Sequence, residues 1–417
     1  MPSKRLALCL TLLFLAFCSP TFASDDLRKS IPMDKLEPKK GNPLEGTVML
    51  FDKEQVVIRV RGRDRHFSQE EVRSIKAKVI DIPAALHMHA NLREDDITSR
   101  LQLAKDFELL GLPLESRLLL WEVLVLDEVN DEAHTALGHR KSGKRWLVPV
   151  GKRWHPLSKA KTLHSQFKDA WQLPTSHFNL RTDLPLAKAL EMAWLLEGSY
   201  YSFHELIGSE MGLYHVIDPM DICIYTRLSD FPDQQRGPGF FSPAQRAAYT
   251  LYDPATNTVQ VHEMVHSIMF FAKEIMGSKP VIPGWIDEGF AEYLPRAIDK
   301  TGLPLKDRGE LLGHAKHHFE VQSESKKPYG LKRSLTLSAG DFHADNLQAE
   351  KYAASYALTH YLLHGESGAL REPFMEFLRG AVDGKATSQS FKKAMEIKKV
   401  RDFDEAWAQY SKAMAEI

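Results

Sequence analysis

Cysteine is scarce in this chain, with three among 417 residues. Cys9 and Cys18 fall within an apolar N-terminal stretch, so a mature chain without that stretch keeps Cys223 alone. A single cysteine cannot form an internal disulfide, which excludes the class of small exported domains that disulfides hold together. Stability must therefore come from a packed core, and a hydrophobic content of 43% is sufficient to build one.

An excess of charge of one sign is also missing. The 54 Lys and Arg residues nearly balance the 55 Asp and Glu residues, for a net charge of -1. Proteins that bind nucleic acid usually carry a marked basic excess, so we expect no nucleic-acid partner. The length fits two or three domains.

Long apolar runs are absent beyond the N-terminus. The chain opens with the basic residues Lys4 and Arg5, continues with an apolar run over residues 6–17, and reaches small residues near Ala23. This run is shorter than the roughly 20 residues that a bilayer span requires. The pattern predicts a signal peptide, residues 1–23, cleaved after Ala23.

Two alternatives to cleavage concern the same N-terminal stretch. One is a retained signal anchor. The other is a lipoprotein attached through Cys18, which we do not favour because the bulky Phe17 directly precedes this cysteine. We expect an exported chain, periplasmic or extracellular, with no stable membrane insertion after cleavage.

The accessory region before residue 171 contains segments of different pattern. A polar stretch with several prolines is typical of a linker, and short β-rich runs follow it. Apolar residues then recur at helical spacing on both sides of Gly111 and Pro113. Finally, "GKRW" occurs twice, which predicts a β-hairpin with paired tryptophans. The predicted segments are a linker at 24–44, a small β-module at 45–80, a helical hairpin at 84–142 and a β-hairpin connector at 143–170.

The helical hairpin resembles a single tetratricopeptide-type (TPR-like) unit. The resemblance is carried by Leu101, Ala104, Gly111, Leu120, Ala133 and Leu137. One unit cannot form a solenoid, so we expect the hairpin to pack on the neighbouring domain. The alternative is a module that binds a protein partner.

Strands precede helices in the remaining chain, residues 171–417. Strand patterns occur at 176–182, 221–227 and 247–252, with one long helical pattern at 184–207 between the first two. From about residue 259 the helical pattern is almost continuous. This order predicts an α+β domain.

The stretch "TVQVHEMVHSIMFF" places two histidines four residues apart on a predicted helix. Both imidazoles of His262 and His266 then project from one face, where a single zinc ion could accept both nitrogens. Glu263 follows the first histidine and could take a proton from a water at the metal. The alternative is a buried, hydrogen-bonded histidine pair in the core of an apolar helix.

A second motif, "PGWIDEGFAEYLP", decides between these interpretations. A catalytic zinc site needs three protein ligands and one open position, and Glu288 can be the third ligand. Glu292 lies four residues later, on the same helical face. It can accept the outer N–H of a ligand histidine and fix its tautomer. The sequence therefore predicts Zn²⁺ as cofactor.

The pair "HEMVH" and "WIDEGFAEY" resembles the gluzincin zinc peptidases, in particular the peptidase-MA-like domains of secreted bacterial proteins. The resemblance covers residues 171–417 and is specific only from His262 to Tyr293. It implies a zincin-like fold and a peptide or protein substrate. It implies that His262, His266 and Glu288 are the zinc ligands and that Glu263 is the general base. It also implies that Glu292 is the hydrogen-bond partner of a ligand histidine.

The resembling domains also supply a Tyr or His that stabilises the oxyanion. We assign Tyr352 to this role, because an equivalent Tyr begins the corresponding helix in those domains. The alternative is that this helix contributes only packing residues. The other candidates on it are Tyr356, His360, Tyr361 and His364.

Three further segments have open interpretations. His314, His317 and His318 are expected on a solvated basic helix face, with a surface metal site as alternative. The loop 236–243 could line the cleft or simply connect two elements. The strand at 247–253 is our candidate for holding extended substrate, unless it lies wholly inside the sheet.

The function that the sequence indicates is an exported zinc metallopeptidase with Glu263 as general base. The alternative is a non-catalytic exported binding or scaffold protein with a vestigial or structural zinc site. An intact Glu263 favours catalysis, because a structural site needs no base beside its ligand.

Overall fold

The computed structural model describes residues 28–29, 31–233, 237–277, 279–306, 308–325, 328–343 and 346–417, without the side chains of 308–315, 339 and 343. The expected signal peptide, residues 1–23, lies outside the described residues. Within them, helices and several sheets are combined, which confirms the α+β class. No helix in these ranges has both the length and the apolar content that a membrane span requires.

An antiparallel five-stranded sheet forms the β-module. The strand order is β4-β3-β2-β1-β5, with a 3₁₀ turn between β4 and β5. Its core is a small apolar cluster that includes Leu36, Val48 and Ile58. The strands are β1 Asp34–Pro38, β2 Leu44–Phe51, β3 Gln55–Val60, β4 Arg63–Ser68 and β5 Val72–Lys76.

The prediction that 24–44 is a linker was wrong for its second half. Strand β1 pairs with both β2 and β5 and lies inside the sheet. Its polar first residue conceals the strand pattern in the sequence. The buried carboxylate of Asp34 accepts the backbone N–H groups of Val48 at 2.7 Å and Lys78 at 3.0 Å, so a charged residue occupies an inward position.

Four helices follow the β-module. The two around Gly111 and Pro113 are the expected hairpin, and they pack on each other. An additional helix precedes them and crosses the expected boundary between β-module and hairpin. The helices are α1 Lys78–Ala90, α2 Ile97–Leu110, α3 Pro113–Leu126 and α4 Asp131–Ala136.

The connector is a three-stranded sheet in the order β6-β7-β8, with one more strand than the expected hairpin. Each "GKRW" supplies one of its two turns. Trp146 is opposite Lys141, and Trp154 is opposite Pro149, so the expected pairing of the two tryptophans was wrong. The elements are β6 Arg140–Ser142, β7 Arg145–Val150, β8 Arg153–Pro156 and α5 Leu157–His164.

A second five-stranded sheet begins the C-terminal region. Its order is β12-β13-β11-β10-β9, with β10, β11 and β13 parallel and the two edge strands antiparallel to their neighbours. The strands are β9 Trp171–Pro174, β10 Phe178–Thr182, β11 Met220–Tyr225, β12 Gly239–Ser242 and β13 Ala247–Leu251.

Helices provide the rest of this region. Helix α7 lies against β12 and β13 on one side and against α6 and α8 on the other, and α8 also packs on α11. One continuous apolar core extends from α1 to the last helix. The helices are α6 Leu186–Phe203, α7 Thr258–Ile275, α8 Gly284–Ala297, α9 Arg308–Glu324, α10 Leu331–Ser334, α11 Gln348–His364, α12 Arg371–Val382, α13 Ser388–Ala394 and α14 Val400–Glu416.

Candidate metal centre

Helix α7 is anchored by its apolar face. Val261, Val265 and Ile268 are at most 1% exposed and belong to the main core. The polar face carries His262 and His266 one turn apart, as the spacing predicts. The apolar residues fix the rotation of the helix and thereby aim both imidazoles at α8.

Helix α8 is held just as firmly. Trp285 and Phe290 are fully buried. Gly289 allows a close approach to α11, because a Cβ at this position would lie 2.2 Å from Thr359 Oγ1 and 2.9 Å from a backbone oxygen of Ser355. In the "EG" pair of the second motif, Glu288 provides a carboxylate beside the two histidines, and Gly289 makes the contact with α11 that positions it.

Three side chains from α7 and α8 converge on one point. The Nε2 atoms of His262 and His266 are 3.1 Å apart, and Glu288 Oε2 is 3.4 Å from each of them. A tetrahedral ion with metal–ligand bonds of about 2.0–2.1 Å requires ligand atoms about 3.3–3.4 Å apart. These separations therefore suit zinc, and the group is one that could hold a metal ion.

The hydrogen-bond roles of the converging atoms also favour a cation. His262 Nδ1 is 3.1 Å from Glu292 Oε1, and His266 Nδ1 is 3.1 Å from Asp287 Oδ2. Each Nδ1–H can therefore donate to a carboxylate, which leaves both Nε2 atoms as acceptors. Glu288 Oε2 is buried and has no hydrogen-bond partner among the described residues. With neutral imidazoles, three acceptors face one another, so protons or a metal cation must lie between them.

The partner of His266 was not predicted. The carboxylate of Asp287, in the first turn of α8, is adjacent to the His266 ring. It immediately precedes Glu288, so one turn of α8 supplies both a ligand and the orienting partner of another ligand. The sequence contained the residue, but the lateral offset between α7 and α8 decides its role.

Glu292 lies beside His262, as its position on α8 predicts, and it has further partners. Its Oε2 is 2.9 Å from His318 Nε2 and 2.8 Å from Arg296 Nη1. His318 comes from α9 and is only 9% exposed. The expectation of a solvated histidine face was therefore wrong for His318, although the adjacent His317 is exposed. The side chain of His314 is outside the described residues.

Electrostatics at the centre favour positive charge. Burial lowers the pKa of His262, but the carboxylates of Glu288 and Glu292 outweigh burial and raise it to about 10. Burial raises the pKa of Glu288, but the charges of His266 and His262 lower it to about 2. Without a metal ion, protons on the imidazoles balance the negative charge of the carboxylates. A divalent cation could replace them.

Glu263 projects towards the edge strand β12. It is 7% exposed, and burial raises the pKa of its carboxyl group, partly offset by His262 and His266. The backbone N–H of Phe241 donates a hydrogen bond to this carboxylate. Gly239 permits this approach, because a Cβ there would lie 2.5 Å from Val259 Cγ1 and 3.1 Å from Glu263 Cγ.

The segment expected to hold substrate is not an edge strand. β13 pairs with β11 on one side and β12 on the other, so it lies inside the sheet. The edge strand near Glu263 is β12. It forms within the "GPGFFSP" segment, which was expected to be a loop. A four-residue strand next to two prolines gave too weak a pattern to be identified in the sequence.

Tyr352 lies beside the centre, near the start of α11. Its ring centroid is 6.0 Å from that of His262. Burial and the charges of Glu288, Glu292 and Glu263 raise the pKa of Tyr352, so its hydroxyl remains protonated and able to donate. The other candidates on α11 are packing residues: Tyr356, His360 and Tyr361 are nearly fully buried, and His364 accepts or donates a 2.8 Å hydrogen bond with Tyr293.

Comparison of the chain with protein-family models and with curated proteins found no match. At the site, two imidazoles and one carboxylate converge, and a second carboxylate, Glu263, lies beside them.

Proposed function

We propose that this protein is an exported zinc-dependent peptidase that hydrolyses peptide bonds with Glu263 as general base. The observation that carries the proposal is the triangle of His262 Nε2, His266 Nε2 and Glu288 Oε2, with sides of 3.1–3.4 Å. A zinc ion held by these three atoms would supply a Lewis acid that acidifies water and polarises a carbonyl group.

The chain's own residues would perform the proton transfers. Glu263 takes a proton from water, and the water oxygen attacks the peptide carbonyl carbon. When the C–N bond breaks, Glu263 gives the proton to the departing amine. The burial that raises the pKa of Glu263 favours this role, because a base must also be able to return its proton.

Tyr352 is proposed to donate a hydrogen bond to the oxyanion of the tetrahedral intermediate. Its protonated hydroxyl and its position beside His262 support this role. Strand β12 is proposed to hold the substrate in extended form, because it is an edge strand of the sheet and passes beside Glu263. This assignment replaces the one made to β13.

The arrangement also supports the proposed relation to gluzincins. In that interpretation α7 carries the "HEMVH" motif and α8 carries Glu288 and Glu292 on one face. A mixed sheet with an antiparallel edge strand next to α7 agrees with a zincin-like domain. Export is proposed from the N-terminal pattern alone.

Hydrolysis is tested with a peptide library and the variant Glu263→Gln. We expect the variant to bind zinc as the wild type does and to cleave at least about 100-fold more slowly, because general-base catalysis contributes about 10²–10⁴-fold. Zinc binding without any cleavage by the wild type would instead support the scaffold alternative.

A further inference from the structure

The connector is the most basic part of the molecule. The connector, residues 143–170, contains seven Lys and Arg residues and one acidic residue, Asp169, although the whole chain has a net charge of -1. Such a segregation of charge on one small substructure creates a local positive field that the average composition conceals.

The charges are concentrated at the two turns of the three-stranded sheet. Lys144 and Arg145 lie at the β6–β7 turn, and Lys152 and Arg153 lie at the β7–β8 turn, all of them exposed. Within the described residues none of the four forms an ion pair with a carboxylate. The neighbouring Lys141, in contrast, pairs with Asp131 at 2.8 Å.

The sheet presents one of its faces outwards between these turns. Val148 on the inner face is 1% exposed, whereas Arg140, Leu147 and Trp154 share the outer face by alternation. β7 has six residues, so the turns at its ends are about 20 Å apart. We name this outer face with its two turns the connector face.

We propose that the connector face binds the surface of a membrane rich in anionic phospholipids. The positive charges are spread over about 20 Å. This distance exceeds the size of one phosphate group and suits an array of lipid headgroups. Trp154 among the cations is partly exposed, with its ring in contact with Arg140, and tryptophan is enriched at membrane–water interfaces.

Nucleic acid fits this face less well. Stacking on a base requires an aromatic ring with a free face. The Arg140 guanidinium lies over the Trp154 ring at 4.2 Å, and Trp146 stacks on His134 at 4.8 Å. Both indoles are thus engaged within the protein. The inference does not depend on the metal centre or on peptidase activity.

The test is co-sedimentation of the full chain with vesicles of phosphatidylcholine alone or mixed with phosphatidylglycerol. We expect binding only to the mixed vesicles, weakening as salt is raised. Each basic residue near an anionic surface contributes about fivefold to binding, so K144Q/R145Q/K152Q/R153Q should lose several hundred-fold. The two-residue variants K144Q/R145Q and K152Q/R153Q should each lose about 25-fold.

The matched control is K393Q/K398Q/K399Q/K412Q, which changes the net charge equally at exposed lysines in and between α13 and α14. It should bind as the wild type does. Absence of wild-type binding to the mixed vesicles would overturn the proposal, and so would equal losses in both four-residue variants. Binding of a single-stranded oligonucleotide but not of vesicles, at the same salt, would assign the face to nucleic acid instead.

Discussion

At the scale of single residues, the histidine His318 shows how far the metal centre extends beyond its ligands. Its Nε2–H donates a hydrogen bond to the carboxylate of Glu292, which also accepts the Nδ1–H of His262. Both oxygens of Glu292 are thereby held, one by His262 and the other by His318 and Arg296. We infer that His318 orients the His262 imidazole through Glu292.

Removal of this contact should weaken metal binding. We expect His318→Ala to lower zinc affinity about 10- to 100-fold, as loss of an outer hydrogen-bond partner usually does. A competition titration with a zinc chelator measures it. His317→Ala, an exposed neighbour on the same helix, is the control and should retain wild-type affinity; an equal affinity in both variants would exclude an orienting role for His318.

Proton release should accompany zinc binding. The pKa of His262 is raised to about 10 and that of His266 is raised well above its usual range, so both imidazoles carry protons in the metal-free protein at neutral pH. Zinc must displace them, so its affinity should rise with pH, with about two protons released per ion. Calorimetry in buffers of different ionisation enthalpy counts them; no buffer dependence would show that the imidazoles were already neutral.

Spacing predicted that His262 and His266 share a helix face, because they are four residues apart, but Glu288 was selected from the second motif. Spacing could not identify His318 or Asp287 as partners. His318 reaches Glu292 from a helix that begins 16 residues after that carboxylate, and nothing in a local pattern predicts where α9 will pack. The role of Asp287 likewise depends on how far α8 is displaced along α7.

At the scale of elements, the short strand β12 is the feature that sequence patterns concealed. It is the edge strand beside α7, and the backbone N–H of Phe241 is directed at Glu263, whereas the stronger pattern of β13 belongs to an interior strand. Burial on both faces, rather than proximity to the site, gives β13 its apolar sequence.

Position 239 should tolerate glycine only. We expect Gly239→Ala to force β12 and Glu263 apart, because the new Cβ would lie 2.5 Å from Val259 Cγ1. Peptide cleavage should fall about 100-fold, the usual effect of a displacement near 1 Å, while zinc content stays unchanged. Steady-state cleavage and metal analysis measure both, and Ser242→Ala on the same strand is the control. Full activity in Gly239→Ala would argue against contact between β12 and the base.

At the scale of the whole molecule, the accessory helices and the C-terminal region share one apolar core, and the largely buried carboxylate of Glu122 adds hydrogen bonds between them. Glu122 of α3 accepts hydrogen bonds from Arg100 Nε at 2.9 Å and Trp194 Nε1 at 2.6 Å, and its Oε1 is 2.8 Å from His89 Nε2. These partners lie on α2, α6 and α1. The helical hairpin therefore packs on its neighbour, as the sequence predicted.

Loss of this carboxylate should destabilise the molecule strongly. Glu122→Ala leaves the Arg100 charge and the Trp194 donor buried without their acceptor, and removing one partner of a buried pair costs about 3–5 kcal/mol of unfolding free energy. Glu128→Ala is the control, since its pair with Lys161 is half exposed and contributes about 0–1 kcal/mol. Urea denaturation compares them; similar midpoints would mean that Glu122 does not couple the two regions.

We propose above all that His262, His266 and Glu288 together hold one zinc ion. The most direct test is the zinc content of the purified chain after dialysis against a trace of zinc. We expect stoichiometric zinc in the wild type and in Glu263→Gln, and almost no zinc in His262→Ala. A wild type without zinc, or unchanged zinc in His262→Ala, would contradict it.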